Sequence, residues 1–358
     1  MNMKLRGGPR TWCFFLYWSL IIFTAHTAGA RTKNLPPEVL NAVVTITGST
    51  GAGTGFICIF HGHPVLATNQ HMLEVGSPFS INTSDGSTIT PLQFYAADDA
   101  DLVLVVCKGI PPNIVPLDLA SLPDKDIQAG DPLVIPGNSK GDDVITQTPG
   151  KLLAIGPQKV EVDNPLYPGN SGSPIYHPAT GKVIGVFTEV AFHSFDVLEK
   201  LSYRSPNSSI KSQERYFGYR IDSVKRWLPL NWNAFQTTEA NLARSEQELN
   251  DLANYFSGAS DPNFDFPELQ SARTDAAAIY NDTRHSQEDR QDAYDQLLTQ
   301  IATLAKKADN RAHQCVIYFH QKQDLDAIDQ TTDAIIQTVE TERRTESHSP
   351  VQPKAGGL

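Results

Sequence analysis

Residues 167–190 read YPGNSGSPIYHPATGKVIGVFTEV, and the rest of the chain is best read outward from them. Ser171 stands in Gly169-Asn170-Ser171-Gly172, where the glycines allow a sharp turn that brings successive backbone N–H groups towards one point. The run KVIGVFTEV at 182–190 is β-rich, and similar runs precede it: AVVTITG at 42–48, GFICIF at 55–60, PVLATN at 64–69, DLVLVVC at 101–107 and PLVIPG at 132–137. Gly, Pro, Asn and Asp punctuate them, so residues 35–232 are expected to form an all-β barrel or sandwich with tight turns. The first helix-like period is at residues 221–227.

A serine hydroxyl is a weak nucleophile at neutral pH and needs an adjacent base. His71 lies in LATNQHML, directly after an apolar strand, and Asp101 opens the strand DLVLVV. The chain order is therefore His, Asp, Ser, the order found in chymotrypsin-type hydrolases. Asp98 and Asp99 compete with Asp101 for the carboxylate role. His61 and His63 (HGH) fall in an apparent hairpin turn without a carboxylate or thiol partner, so no metal site is expected there. His177 and His193 read as loop residues.

Taken in order, GTGFI (53–57), ATNQHM (67–72), DADLVLVV (99–106), PGNSGSP (168–174) and GKVIGVFT (181–188) resemble the successive core motifs of trypsin-like serine peptidases, most closely the HtrA-type branch. The resemblance implies an all-β double barrel and a serine endopeptidase acting on protein or peptide substrates through an acyl-enzyme, with no cofactor. It gives His71 the role of general base and Ser171 that of nucleophile. It selects Asp101, directly before the Leu-Val-Leu strand, as the carboxylate that orients His71. The N–H groups of Gly169 and Ser171 would form the oxyanion hole. Thr188, Glu189 and Val190 would pair with substrate backbone, and Phe217, on the last barrel strand at 215–221, would help line an apolar specificity pocket. Digestive members of the family carry Asp where this chain has Asn170, so activation by a newly cut N-terminus is not expected. Unlike HtrA relatives, the chain follows the barrels with helical sequence rather than a β-rich PDZ-like domain.

That helical sequence begins past residue 235. Leu242, Leu249, Leu252 and Phe256 keep a seven-residue seam; residues 258–267 read as a connector ending in a helix-starting Pro267. After the polar break NDTRHS (281–286), the seam Leu297, Ile301, Leu304, Ala308, Ala312, Cys315, Phe319 runs on, then Leu325, Ile328, Ile335 and Val339. The expectation is an all-α helical hairpin or coiled-coil-like module, packed on itself or between subunits as a homo-oligomer, and contributing no catalytic group. Its excess of acidic residues reads as a solvated face.

The 358 residues, 40% hydrophobic and 19% charged, suffice for two domains with real cores. The net charge of −11 argues against a broad nucleic-acid interface. Residues 1–30 carry Lys4, Arg6 and Arg10, an apolar run too short to span a bilayer, and Ala28-Gly29-Ala30, the features of a cleaved export signal. The expected division is a signal at 1–30, a protease domain at 31–235, a helical module at 236–346 and a disordered tail at 347–358, in a secreted or periplasmic protein without a membrane span. Beyond the signal, Cys58, Cys107 and Cys315 are too few and too widely spaced for a disulfide framework. Asn82, Asn207 and Asn281 head N-x-S/T triplets that carry meaning only in a eukaryotic secretory route. A different class of function remains open at this point: a protease-like scaffold whose helices bind a partner.

Overall fold

The computed structural model describes residues 34–74, 76, 79–165, 167–188, 215–257, 267–282 and 284–346. Residues 1–33, which include the expected export signal, together with Glu189, Val190, His193, the Asn207 triplet, residues 347–358 and most of the expected connector at 258–267, lie outside them.

After a short helix α1 (Pro37–Asn41), six strands build the first sheet: β1 (Val43–Thr47), β2 (Ala52–Phe60), β3 (His63–Thr68), β4 (Ser80–Thr83), β5 (Pro91–Ala97) and β6 (Val103–Cys107). The HGH sequence turns between β2 and β3, with His61 and Gly62 at φ 50° and 81° between the paired Phe60 and His63. Two positive φ values are what a two-residue hairpin loop demands. The second sheet contains β7 (Asp118–Leu119), β8 (Pro132–Gly137), β9 (Thr146–Ile155), β10 (Lys159–Val162), β11 (Pro174–His177), β12 (Lys182–Thr188) and β13 (Tyr216–Tyr219). Its order, β11-β8-β9-β10-β13-β12-β7, closes on itself through β11–β12 pairing. Six strands thus form a barrel, filled by Leu133, Ile135, Leu152, Val160, Ile175 and Phe187. The architecture is the expected trypsin-like double barrel followed by helices.

Two expectations fail at the junction. Residues 221–227 do not start a helix: a single 3-10 turn (Ile221–Ser223) leads into β14 (Trp227–Leu230), which crosses back to the first sheet and pairs with β5. Pro229 is tolerated because β14 is the edge of that sheet. His177 is no loop residue either. It is buried at the end of β11, its two ring nitrogens meeting Thr180 Oγ1 at 2.9 Å and Asp131 Oδ2 at 3.2 Å.

Four helices follow: α2 (Trp232–Ser257), α3 (Pro267–Asn281), α4 (Gln287–His313) and α5 (Gln321–Glu346). The polar break works as a cap, since Ser286 Oγ accepts from Asp289 N at 3.0 Å while Asp289 Oδ2 accepts from Ser286 N at 2.9 Å. Leu297, Leu298, Ile301 and Leu304 of α4 are buried against Leu249 and Leu252 of α2, Leu269 of α3 and Ile335 of α5. The seam is therefore consumed inside one chain. It also ends sooner than its spacing suggests. The helix stops at His313, and Cys315 and Phe319 belong to a connector, residues 314–320, where Phe319 finds apolar partners on the barrel instead of on a helix. An aromatic ladder fastens the helices to the first sheet: Phe94 stacks on Trp232 at 4.9 Å, Trp232 on Phe235 at 6.2 Å, and Phe235 meets Tyr318 at 5.8 Å.

Leu298 is fully buried. Its replacement by alanine is expected to destabilise the chain by about 2–5 kcal/mol through lost contacts and a cavity. Chemical denaturation of the full chain reads this directly, and a loss below about 1 kcal/mol would contradict a packed seam.

Candidate active site

The register of two strands brings His71 and Asp101 together. β3 runs antiparallel to β6 with Thr68 opposite Val103, so the residues just after β3 face those just before β6. His71 opens a 3-10 turn (His71–Leu73), and its Nδ1 lies 2.7 Å from Asp101 Oδ2. The same carboxylate accepts from Gln70 N at 2.8 Å and His71 N at 3.1 Å on Oδ1, and from Thr188 Oγ1 at 3.2 Å on Oδ2. Burial by itself would raise the Asp101 pKa. The facing His71, by charge and by hydrogen bond, together with His320 outweighs it and holds the carboxyl below its ordinary range.

The rival aspartates point elsewhere. Asp98 pairs with Arg226 at 2.7 Å, and Asp99 Oδ2 accepts from Gln158 Nε2 at 3.3 Å.

Ser171 is buried in a turn that both sheets clamp. Its carbonyl accepts from Thr54 N of β2 at 2.9 Å, while Gly172 N donates to Phe187 O of β12 at 2.8 Å. Thr54 Oγ1 donates to Gly169 O at 2.7 Å, and Ser139 Oγ donates to Asn170 Oδ1 at 2.7 Å. Gly53 leaves room for the Met72 thioether beside the Ser171 backbone, which joins the histidine turn to the serine turn. Asn170, Gly172 and Ser173 all donate their N–H groups to backbone carbonyls. Among the described residues, the N–H groups of Gly169 and Ser171 have no backbone acceptor.

Gly169 and Gly172 sit at φ +92° and +85°. A Cβ on Gly172 would run into Thr54 O and Thr68 Oγ1. Gly172→Ala is therefore expected to cost about 2 kcal/mol or more and to displace Ser171. Hydrolysis and denaturation assays check this, and an unchanged variant would show that the turn is not required.

Thr188, expected as a substrate-pairing residue, lies on β12 opposite Phe217 and also turns its hydroxyl onto Asp101. Phe217 is half-buried, and its ring carries the Arg215 guanidinium at 5.0 Å and Lys159 Nζ at 5.9 Å. Arg215 is in turn held by Glu161, which accepts from its Nε at 2.8 Å and from its Nη2 at 2.7 Å. Cys58, Cys107 and Cys315 are free thiols, and burial pushes Cys58 far up.

Sequence reasoning missed two residues here. Gln70 is fully buried, and its Nε2 is shared among the carbonyls of Ala97, Ala100 and Leu102 at 2.7–3.1 Å, which fixes the loop ahead of Asp101. Its place directly before His71 was the only signal. His320, in the helical half, lies with its ring centroid 5.3 Å from that of His71, and its Nε2 is 3.6 Å from Glu74 Oε2. The helical half, expected to contribute no catalytic group, thus places a side chain beside His71. The cause is the early end of α4, which sends residues 314–320 to the barrel.

Two antiparallel β units with a His–Asp pair and a glycine-flanked serine clamped between them define the chymotrypsin-type architecture. Residues 53–186 match the family model of the trypsin-like peptidase domain. The chain is 27% identical over 213 residues to a serine protease DegP homolog of Plasmodium falciparum, covering 54% of this chain and 22% of that protein. It is 30% identical over 155 residues to the putative serine protease HhoB of Synechocystis, covering 39% and 35%. To a probable periplasmic serine endoprotease DegP-like of Pseudomonas fluorescens it is 27% identical over 146 residues, covering 38% and 29%. The chain spans only about a fifth to a third of the length of these relatives.

Proposed function

We propose that the protein is a serine endopeptidase that cleaves peptide bonds in protein substrates through an acyl-enzyme. Ser171 Oγ attacks the scissile carbonyl, His71 takes its proton and returns it to the leaving amine, and Asp101 holds the imidazole in the tautomer that accepts. Gly169 N and Ser171 N receive the oxyanion. The observation that carries this reading is the Asp101–His71 pair, at 2.7 Å with three further donors on the same carboxylate, in one domain with the glycine-bound Ser171 turn. Thr188, Glu189 and Val190 offer a strand edge to substrate backbone, and Phe217 flanks the side-chain pocket. The unit that does this is residues 31–235, exported by the leader at 1–30, a reading in keeping with the periplasmic relative. Residues 236–346 act as a module within the chain, because their apolar seam is already buried there.

The test is a fluorophosphonate probe followed by peptide mapping. A stable adduct on Ser171 is expected, since only an activated serine reacts. A folded protein that takes up no probe between pH 6 and 9 would refute the assignment.

A further inference from the structure

The connector 314–320 is fixed at both ends beside His71. Thr238 Oγ1 of α2 donates to Val316 O at 3.2 Å, Asn231 N donates to the Tyr318 hydroxyl at 3.4 Å, and Gln321 Oε1 accepts from Tyr318 N at 3.0 Å. At the barrel, Phe319 sits edge-on to Tyr219 at 6.2 Å, and His320 N donates to Gln70 Oε1 at 3.2 Å. With the His320 ring against it, the His71 side chain is only 17% exposed. A general base has to reach both the serine hydroxyl and the leaving group of a substrate. The His320 ring, 5.3 Å from the imidazole between centroids, narrows the approach to it.

What holds the connector down is acidic. Glu74, three residues past His71, lies with Oε2 3.6 Å from His320 Nε2, and it feels the charges of Glu239 of α2 and Asp324 of α5. Gln321 Nε2 donates to Glu239 Oε1, and Glu74 Oε1 is buried without a hydrogen-bond partner. An ionised carboxylate is costly in such a place unless it is paired.

We propose that residues 314–320 are a strap that closes the catalytic histidine, and that ionisation of the carboxyls of Glu74 and Glu239 beneath it releases the strap. This rests on the serine endopeptidase reading. Burial, and then the charge of Asp324, push Glu239 up to about 7, against the hydrogen bond from Gln321 that lowers it. Burial first, then Glu239, Asp324 and Asp101, push Glu74 further in the same direction. His320 faces Glu74 on one side and the paired His71 and Asp101 on the other, and its imidazole offers at most one positive charge against the carboxyls of Glu74, Glu239 and Asp324. Once the strap lifts, both glutamates return to water and to the ordinary carboxylate range near 4.5. Their pKa values are thus raised in the closed form, which is fully favoured below the ordinary value and loses its advantage as pH rises towards the raised ones. Each pH unit in that window changes the closed-to-open ratio by about tenfold per group. The enzyme is held shut in acid and opens towards neutral and alkaline pH.

The test compares full-length wild type with the double variant Phe319→Ala/His320→Ala and with Glu239→Gln. Fluorophosphonate labelling rates are measured from pH 5.5 to 9, alongside hydrogen exchange of the 314–320 amides corrected for intrinsic rates. Removing His320 also changes the surroundings of His71, so the labelling ratio is read together with the exchange of the connector amides, which does not depend on catalysis. At pH 5.5 the double variant should label at least tenfold faster than wild type, and the ratio should fall towards one by pH 9. Connector amides in wild type should lose protection over the same interval, and Glu239→Gln should move that loss to higher pH. Equal or slower labelling of the double variant at pH 5.5 would overturn the strap, as would pH-independent protection of the connector. If no protein labels at any pH, the serine reading falls. The exchange data, which need neither variant nor activity, then still decide whether the connector opens.

Discussion

Replacing Ser171 by alanine is expected to lower peptide hydrolysis by about three orders of magnitude or more and to leave the fold intact. The effect is large because, in the proposed mechanism, the hydroxyl oxygen forms the acyl bond and no neighbouring group in the turn can substitute for it. The fold should survive because the turn is held by main chain. Thr54 N donates to Ser171 O, Gly172 N to Phe187 O and Ser173 N to Asn170 O, and none of these bonds involves Oγ. Initial rates on a peptide substrate and a thermal melt, run on the same preparation, separate the two effects. Residual activity within about tenfold of wild type would remove Ser171 from the mechanism.

Asp101→Asn should be nearly as damaging, costing about 10⁴ in kcat at neutral pH, the scale seen when a triad carboxylate becomes an amide. Four donors converge on this carboxylate: Gln70 N, His71 N, Thr188 Oγ1 and His71 Nδ1. An amide offers one acceptor oxygen. Its NH₂ must face either the backbone donors or His71, and in the second case it favours the tautomer that cannot accept the serine proton. Asp98→Asn and Asp99→Asn should change kcat little, because those side chains engage Arg226 and Gln158. Greater sensitivity at either position would mean that the pairing carboxylate is misassigned. The low pKa of Asp101 also has a stability consequence. A carboxyl depressed in the folded state stabilises the protein above its ordinary value of 3.8, and this contribution disappears as pH falls through the depressed value. Denaturation below pH 4 should therefore weaken wild type more steeply than Asp101→Asn.

The barrels were legible because their strands are short apolar, β-rich runs, buried at consecutive positions, that end at turn residues, as β2 and β3 do around His61-Gly62. The His71–Asp101 pairing was legible because both residues lie one step beyond strands that pair. β14 was hidden: Trp227-Leu228-Pro229-Leu230 is short and contains a proline, and only the unpaired edge of β5 makes it a strand. The end of α4 was hidden for the opposite reason. The spacing of Cys315 and Phe319 continues the seam, and only the apolar surface at Tyr219 explains why Phe319 leaves it. Gln70 and His320 act through contacts between residues far apart in sequence, which no local pattern encodes.

β14 also bears on how the chain is made. Trp227 to Leu230 pair with Phe94 to Ala97, so the first sheet cannot be completed until the second barrel has been synthesised. Until then β5 keeps a free row of backbone groups, the kind of edge that recruits foreign strands. Pairings of such long sequence separation form slowly. The nascent protein therefore passes through an interval in which its N-terminal barrel is open to aggregation, and a fragment ending before residue 227 keeps that edge permanently.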